Sequence, residues 1–190
     1  DYKTLTYSMD PKFGSIKRCN IVLDQDSFKR NLNLYVIAEN FDGTLIQSNN
    51  SIKENLKTWL NKYKMLSDTI DILDARVVNL GIDFSVLSEE SANKGEILQR
   101  CFLALEDYFD NTPEIGEPFH ITKLYNVLNN VNGVVDTFKL DVFQKTGDAY
   151  SDTYLNIKQN ISADGRYVLI PKNVIYEIKY INDDIRGIVK

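Results

Sequence analysis

The longest continuous pattern in the chain runs from Asp71 to Leu87. Leu80, Ile82, Phe84 and Val86 fall on one face and Gly81, Asp83 and Ser85 on the other. A period of two sustained this far is the mark of a half-buried β-strand. Val77-Val78, where two apolar residues adjoin, is the expected place for a bulge. Such a strand needs a cover, and the flanking sequence supplies one. Ile52, Leu56, Trp59, Leu60 and Tyr63 recur at helical spacing, which predicts an amphipathic helix over 52–65, and Ser51 with Glu54 forms its expected capping box. Downstream, Ile97, Leu98, Cys101, Phe102, Leu105, Tyr108 and Phe109 predict a helix with a wide apolar face that ends before Pro113. A third helix is expected over 121–130, burying Leu124, Tyr125 and Leu128 and stopped by Asn132-Gly133.

The remaining segments read as extended. Tyr2 to Ser8 reads as a strand closing at Asp10-Pro11, followed by strands over 16–23 and 31–38. Val134 to Phe143 is expected to point Phe138, Leu140 and Val142 inward. After Thr146-Gly147-Asp148 come extended pieces over 154–161, 167–170 and 174–180, with Asp164-Gly165 as a hairpin turn. Strands and helices do not alternate regularly, so a doubly wound parallel sheet is disfavoured. The expected class is α+β: a mixed or antiparallel sheet with about three helices in the order β-β-α-β-α-α-β, plus a β-rich C-terminal extension. The expected division is a β-rich segment over 1–48, read as part of a truncated domain, an α+β core over 49–145 and the extension over 146–190.

Composition removes several kinds of chemistry. A net charge of −5 argues against nucleic acid as a partner, because backbone phosphates call for a basic surface. No apolar run reaches the ~18 residues of a membrane-spanning helix, so no membrane partner is expected. Cys19, Cys101 and His120 are too few for a disulfide framework or a four-ligand zinc site. Both cysteines lie at core-facing positions, and His120 stands just ahead of the third helix, within reach in sequence of Glu114 and Glu117. Asp164, Asp183 and Asp184 lack the ligand spacing of a calcium loop. Asn40-Phe41-Asp42-Gly43-Thr44-Leu45 resembles the first motif of haloacid-dehalogenase-type phosphatases, Asp-x-Asp-Gly-Thr-Leu. Asn40 stands where the nucleophilic Asp belongs, and its amide cannot form an aspartyl phosphate; turn chemistry explains Asp42-Gly43 equally well. No catalytic, cofactor-binding or metal-binding residue is expected, and the chain reads as no enzyme. The alternatives are a phosphatase-like enzyme using Asp42-Gly43-Thr44, or a host-side adhesin or peptide-binding module.

Several ordered segments carry more information than any single residue. Leu56 to Ile70 runs from a helix into the strand-like Asp71 to Leu80. Ile115-Gly116-Glu117-Pro118 follows, then Leu124-Tyr125-Asn126-Val127-Leu128 and Val131-Asn132-Gly133-Val134. This order resembles the baseplate J-like family of contractile tails, in which a helix ends in Leu and switches to a strand, a Gly-Glu pair precedes a helix with a Leu-Tyr pair, and Gly-Val opens the next strand. Gly165 to Lys179 is similar to the C-terminal part of the inner-ring wedge subunits of T-even-type phage baseplates.

The resemblance implies a virion structural protein, the C-terminal portion of a larger phage chain, located in the tail baseplate and assembled in the bacterial host cytoplasm. Its implied partners are a second copy, in dimer and ring contacts around the hub, and other baseplate wedge subunits. A ring needs two different self-contacts, since one two-fold contact closes as a dimer. The interface candidates are Leu98, Phe102, Leu105 and Phe109 on the second helix, together with the terminal strands. The same faces could equally fill the core of one chain.

Overall fold

The structure is a computed structural model that describes residues 1–24, 31–89 and 93–190. Its contacts divide the chain into two units, Asp1–Arg76 with Glu114–Gly116 and Pro171–Ile175, and Val77–Pro113 with Glu117–Ile170 and Tyr176–Lys190. Both mix helices with strands, as an α+β chain should.

In the first unit, α1 (Tyr2–Tyr7) replaces the strand expected over 2–8. Asp1 caps it by accepting from the Lys3 N–H at 3.0 Å. Tyr2, Leu5 and Met9 recur at intervals of three and four, and all three pack on the core; this spacing was masked by an accidental alternation around Leu5 and Tyr7. A single 3₁₀ turn (Pro11–Phe13) leads into β1 (Arg18–Leu23), which pairs antiparallel with β2 (Asn31–Glu39). After the turn at Asp42-Gly43 comes β3 (Leu45–Ile46), antiparallel to β2. Helix α2 (Asn50–Asn61) then carries the chain to β4 (Thr69–Asp74), which lies parallel to β2. The cap of α2 is Asn49, not Ser51: its side chain accepts from the Ser51 N–H at 3.1 Å, and the helix stops four residues short of the expected end. Leu34 and Val36 of β2, Cys19 of β1 and Leu56 of α2 are wholly buried together. Trp59 donates its indole N–H to the Leu5 carbonyl at 2.9 Å, which fastens α1 to α2.

The alternating run breaks at Ala75, so the irregularity expected at Val77-Val78 is instead a gap between two strands. β5 (Arg76–Ser88) continues from it as the centre of the second unit's sheet. Leu80, Ile82, Phe84 and Val86 are buried, but Gly81 and Ser85 on the other face are buried too, because β5 has neighbours on both sides. Helix α3 (Lys94–Phe109), the short β6 (Phe119–His120) and α4 (Ile121–Asn129) follow. Gly133, at φ +94°, turns the chain into β7 (Val134–Gln144), antiparallel to β5.

Two register shifts leave Val135 and Phe138 as extra residues of β7. Phe138, expected inward, is therefore 47% exposed, while Thr137 is buried in its place. The bulge reverses the inward phase of the strand.

Residues 154–161 hold α5 (Ile157–Asn160) rather than a strand. β8 (Tyr167–Val168) pairs with β6 after a turn at Asp164-Gly165, and β9 (Val174–Glu177) pairs with β5. α6 (Ile181–Asp184) then delivers β10 (Ile185–Val189), a strand absent from the sequence reading, into parallel pairing with β5.

Gly187 faces Phe84 across that pairing, and a Cβ there would lie 2.3 Å from the Phe84 ring. The ring is 2% exposed and stands edge-on to Phe102 at 5.9 Å, so it has little room to swing aside. Gly187→Ala should cost about 1–3 kcal/mol; urea unfolding with an unchanged midpoint would show that β10 is not seated on Phe84. Asp184, wholly buried, accepts from the Tyr150 hydroxyl at 2.6 Å and the Tyr180 N–H at 2.9 Å, with Lys145 Nζ at 3.4 Å. The hydrogen bond to Asp184 is the main cause that pushes Tyr150 up to about 12, from an ordinary 10.0. The unfolded chain releases this proton first as pH rises, so the stability that Tyr150 adds is complete below pH 10 and is lost toward pH 12. Urea midpoints of the native chain and of Tyr150→Phe should thus converge over that window. A gap that stays constant would show that Tyr150 does not titrate against Asp184.

Candidate assembly surface

Paired residues on adjacent strands share a face, which sorts the second unit's sheet into two sides. On one side Phe84 lies against Gly187 and Phe102, and α3 and α4 pack there with Ile97, Cys101, Leu105, Leu124 and Leu128 buried. The other side carries Asp83, Ser85 and Leu87 from β5. Beside them stand Arg186 and Ile188 from β10, and Lys139 and Asp141 from β7. Leu87 is 44% exposed and Ile188 is 60% exposed. Lys190 lays its ammonium 5.0 Å from the centre of the bulged Phe138 ring.

Charge on this open face is mixed. Lys139 Nζ meets Asp141 Oδ2 at 2.8 Å, and that hydrogen bond raises the Lys139 ammonium above its ordinary range. Asp83 and Ser85 sit in a depression of about 200 Å³, whose lining is completed by Phe84, Lys139, Arg186 and Ile188. Asp83 Oδ1 is enclosed there without a hydrogen-bond partner among the described residues. An enclosed carboxylate oxygen left unpaired is uncommon, and it can accept a hydrogen bond from water or from a partner group. The face thus offers exposed apolar side chains, paired surface charges and one waiting acceptor, a combination suited to packing against another protein surface.

The residues singled out from sequence have definite places. On α3, Leu105 is wholly buried, and Leu98, Phe102 and Phe109 are half-buried. Phe109 stacks on Phe119 at 6.3 Å. Cys19 and Cys101 are buried free thiols, and burial pushes Cys101 up to about 11. His120 occupies the N-cap of α4 without a side-chain capping bond, its ring 5.9 Å from Tyr167. Glu114 forms an ion pair with Arg18 at 3.2 Å.

Asp42 accepts from the Thr44 hydroxyl at 2.6 Å and from the Thr44 N–H at 3.1 Å, while the Asn40 N–H bonds the Thr44 carbonyl at 2.8 Å. The phosphatase-like segment is therefore the turn of the β2–β3 hairpin. Asp164 binds Ser162 and Arg166 within its own turn, and the Ser162 bond leads in holding its carboxyl below the usual range. Among the described residues, no group of three or more His, Cys, Asp or Glu side chains is placed to hold a metal ion. The open face escaped the sequence reading because β10 did. Ile185, Ile188 and Val189 were its only signal, a short β-branched run at the chain end.

No family model and no curated protein matches the chain. Among solved structures, it is similar to a chain in the cryo-EM structure of the anti-feeding prophage baseplate, six-fold symmetrised, with a TM-score of 0.56 and 11% identity. The match covers 94% of this chain and 36% of that one, so this chain spans about a third of the baseplate chain's length. At this identity, the likeness is one of fold.

Proposed function

We propose that the chain is a structural part of a contractile-tail baseplate, a wedge-type subunit of the baseplate J-like kind. The observation that carries this reading is the fold likeness to a baseplate chain over 94% of the residues. The segments behind the sequence resemblance support it, since they fall at structural punctuation. Leu56 to Leu80 spans α2, β4 and the start of β5. Gly116 and Gly133 both take positive φ, at +80° and +94°, where a side chain would be strained. Gly165, at φ +71°, opens the run that leads into β8 and β9.

In this role the chain works by contact. A closed ring needs two unlike surfaces on each copy. The open face around Asp83, Leu87 and Ile188 is one. The exposed side of α3, with Leu98, Phe102 and Phe109 at its margin and Leu105 beneath, is the other. Its partners are a second copy, in wedge dimers and in the ring around the hub, and other wedge subunits. Its place is the tail baseplate of the virion, assembled in the host cytoplasm. Light scattering on the purified chain should find a dimer or larger species at micromolar concentration. Phe138→Glu with Ile188→Glu should weaken that association at least about tenfold, equal to about 1.4 kcal/mol, without loss of the folded circular-dichroism spectrum. A native chain that stays monomeric, or a double variant that associates as well as the native chain, contradicts the reading.

A further inference from the structure

Within the second unit, the end of α3 and the segment after it border a cleft of about 380 Å³. Its floor is aromatic. Tyr108 and Phe109 meet edge-to-face at 5.0 Å, Phe109 stacks on Phe119, and Phe119 meets the edge of Tyr176 at 5.1 Å. Asp107, Glu117 and Lys123 stand on the rim.

Tyr176 is 92% buried but lines this cleft, and its hydroxyl has no hydrogen-bond partner among the described residues. Burial is the main cause that raises both Tyr176 and Tyr108, with the Glu117 carboxylate adding to each, so both phenols stay neutral. A neutral phenol can accept a hydrogen bond, and this one is held facing an open space.

We propose that the cleft receives an arginine side chain presented by an exposed segment of a partner protein. A guanidinium is planar and stacks on an aromatic face, and Tyr108 and Phe109, standing nearly perpendicular at 80°, offer it one such face. Its fork of N–H donors suits the carboxylates of Asp107 and Glu117, and a further N–H reaches the unpaired Tyr176 oxygen. Other occupants fit less well. An anion would pair with Lys123 but would meet two carboxylates, and an apolar side chain would seal Tyr176 away without a partner. A lysine ammonium matches the charge but lacks the plane and the fork. The inference does not rest on the baseplate reading, because it follows from the cleft alone.

Amide and side-chain NMR of the full chain, titrated with blocked Gly-Arg-Gly, tests it. Saturable shifts are expected at Tyr108, Phe109, Asn111, Glu117 and Tyr176, with weaker binding of Gly-Lys-Gly and none of Gly-citrulline-Gly or Gly-Glu-Gly. Tyr176→Phe keeps the ring and removes only the acceptor, and should weaken arginine binding about tenfold, the worth of a hydrogen bond to a charged group. Asp107→Asn with Glu117→Gln should abolish saturation while the remaining spectrum stays native. Absence of saturable shifts with the arginine peptide overturns the proposal. So does equal binding of the citrulline or glutamate peptide, or native affinity in Tyr176→Phe.

Discussion

The second unit depends on one pairing, the parallel seating of β10 on β5 with the Phe84 ring over Gly187. A parallel partner cannot be reached by a tight turn; it requires a crossover. Here the crossover is most of the unit: α3, α4 and β7 all lie between residues 88 and 185 of the chain. The pairing is anchored at its start by Asp184, a wholly buried carboxylate. Such a charge is tolerable only with partners close at hand, and Tyr150, Lys145 and the Tyr180 N–H provide them. Removing that set of contacts would leave a buried charge at the point where β10 begins.

Sequence periodicity served well wherever a segment packs on one face only. Helix α2 with Leu56 and Leu60, α3 with Ile97, Cys101 and Leu105, and α4 with Leu124 and Leu128 were all legible in this way; the apolar face of β5 was legible too, but not the burial of Gly81 and Ser85 on its other face. It failed where tertiary context overrode local pattern. Tyr2 to Tyr7 alternates enough to suggest a strand, yet Tyr2, Leu5 and Met9 meet the core at helical spacing. Phe138 belongs to the inward phase of its strand until a bulge displaces it, and no local residue marks that bulge. The open face was the least legible part. It is assembled from β5, β7 and β10, and its character rests on register between strands as far apart in sequence as Ile188 and Ser85, which periodicity does not carry.

The two sides of this sheet divide labour physically. The side under α3 and α4 holds the interior, where Phe84 and Leu105 leave water almost completely. Removing such apolar area from water is the main force that holds the unit together. The other side keeps Leu87, Ile188 and Phe138 in water and encloses the Asp83 Oδ1 with no donor among the described residues. A partner surface covering those apolar side chains would take their area out of water, and an N–H or O–H on it could pair with the Asp83 oxygen. The acidic net charge, at −5, opposes association only through long-range repulsion that salt screens.

The most direct measurement is a cryo-EM reconstruction of the assembled particle that contains this chain. The expected map shows the face formed by Asp83, Leu87 and Ile188 covered by a neighbouring subunit, with a donor group at the Asp83 carboxylate. A map in which that face lies open to solvent at every copy would contradict its role in assembly.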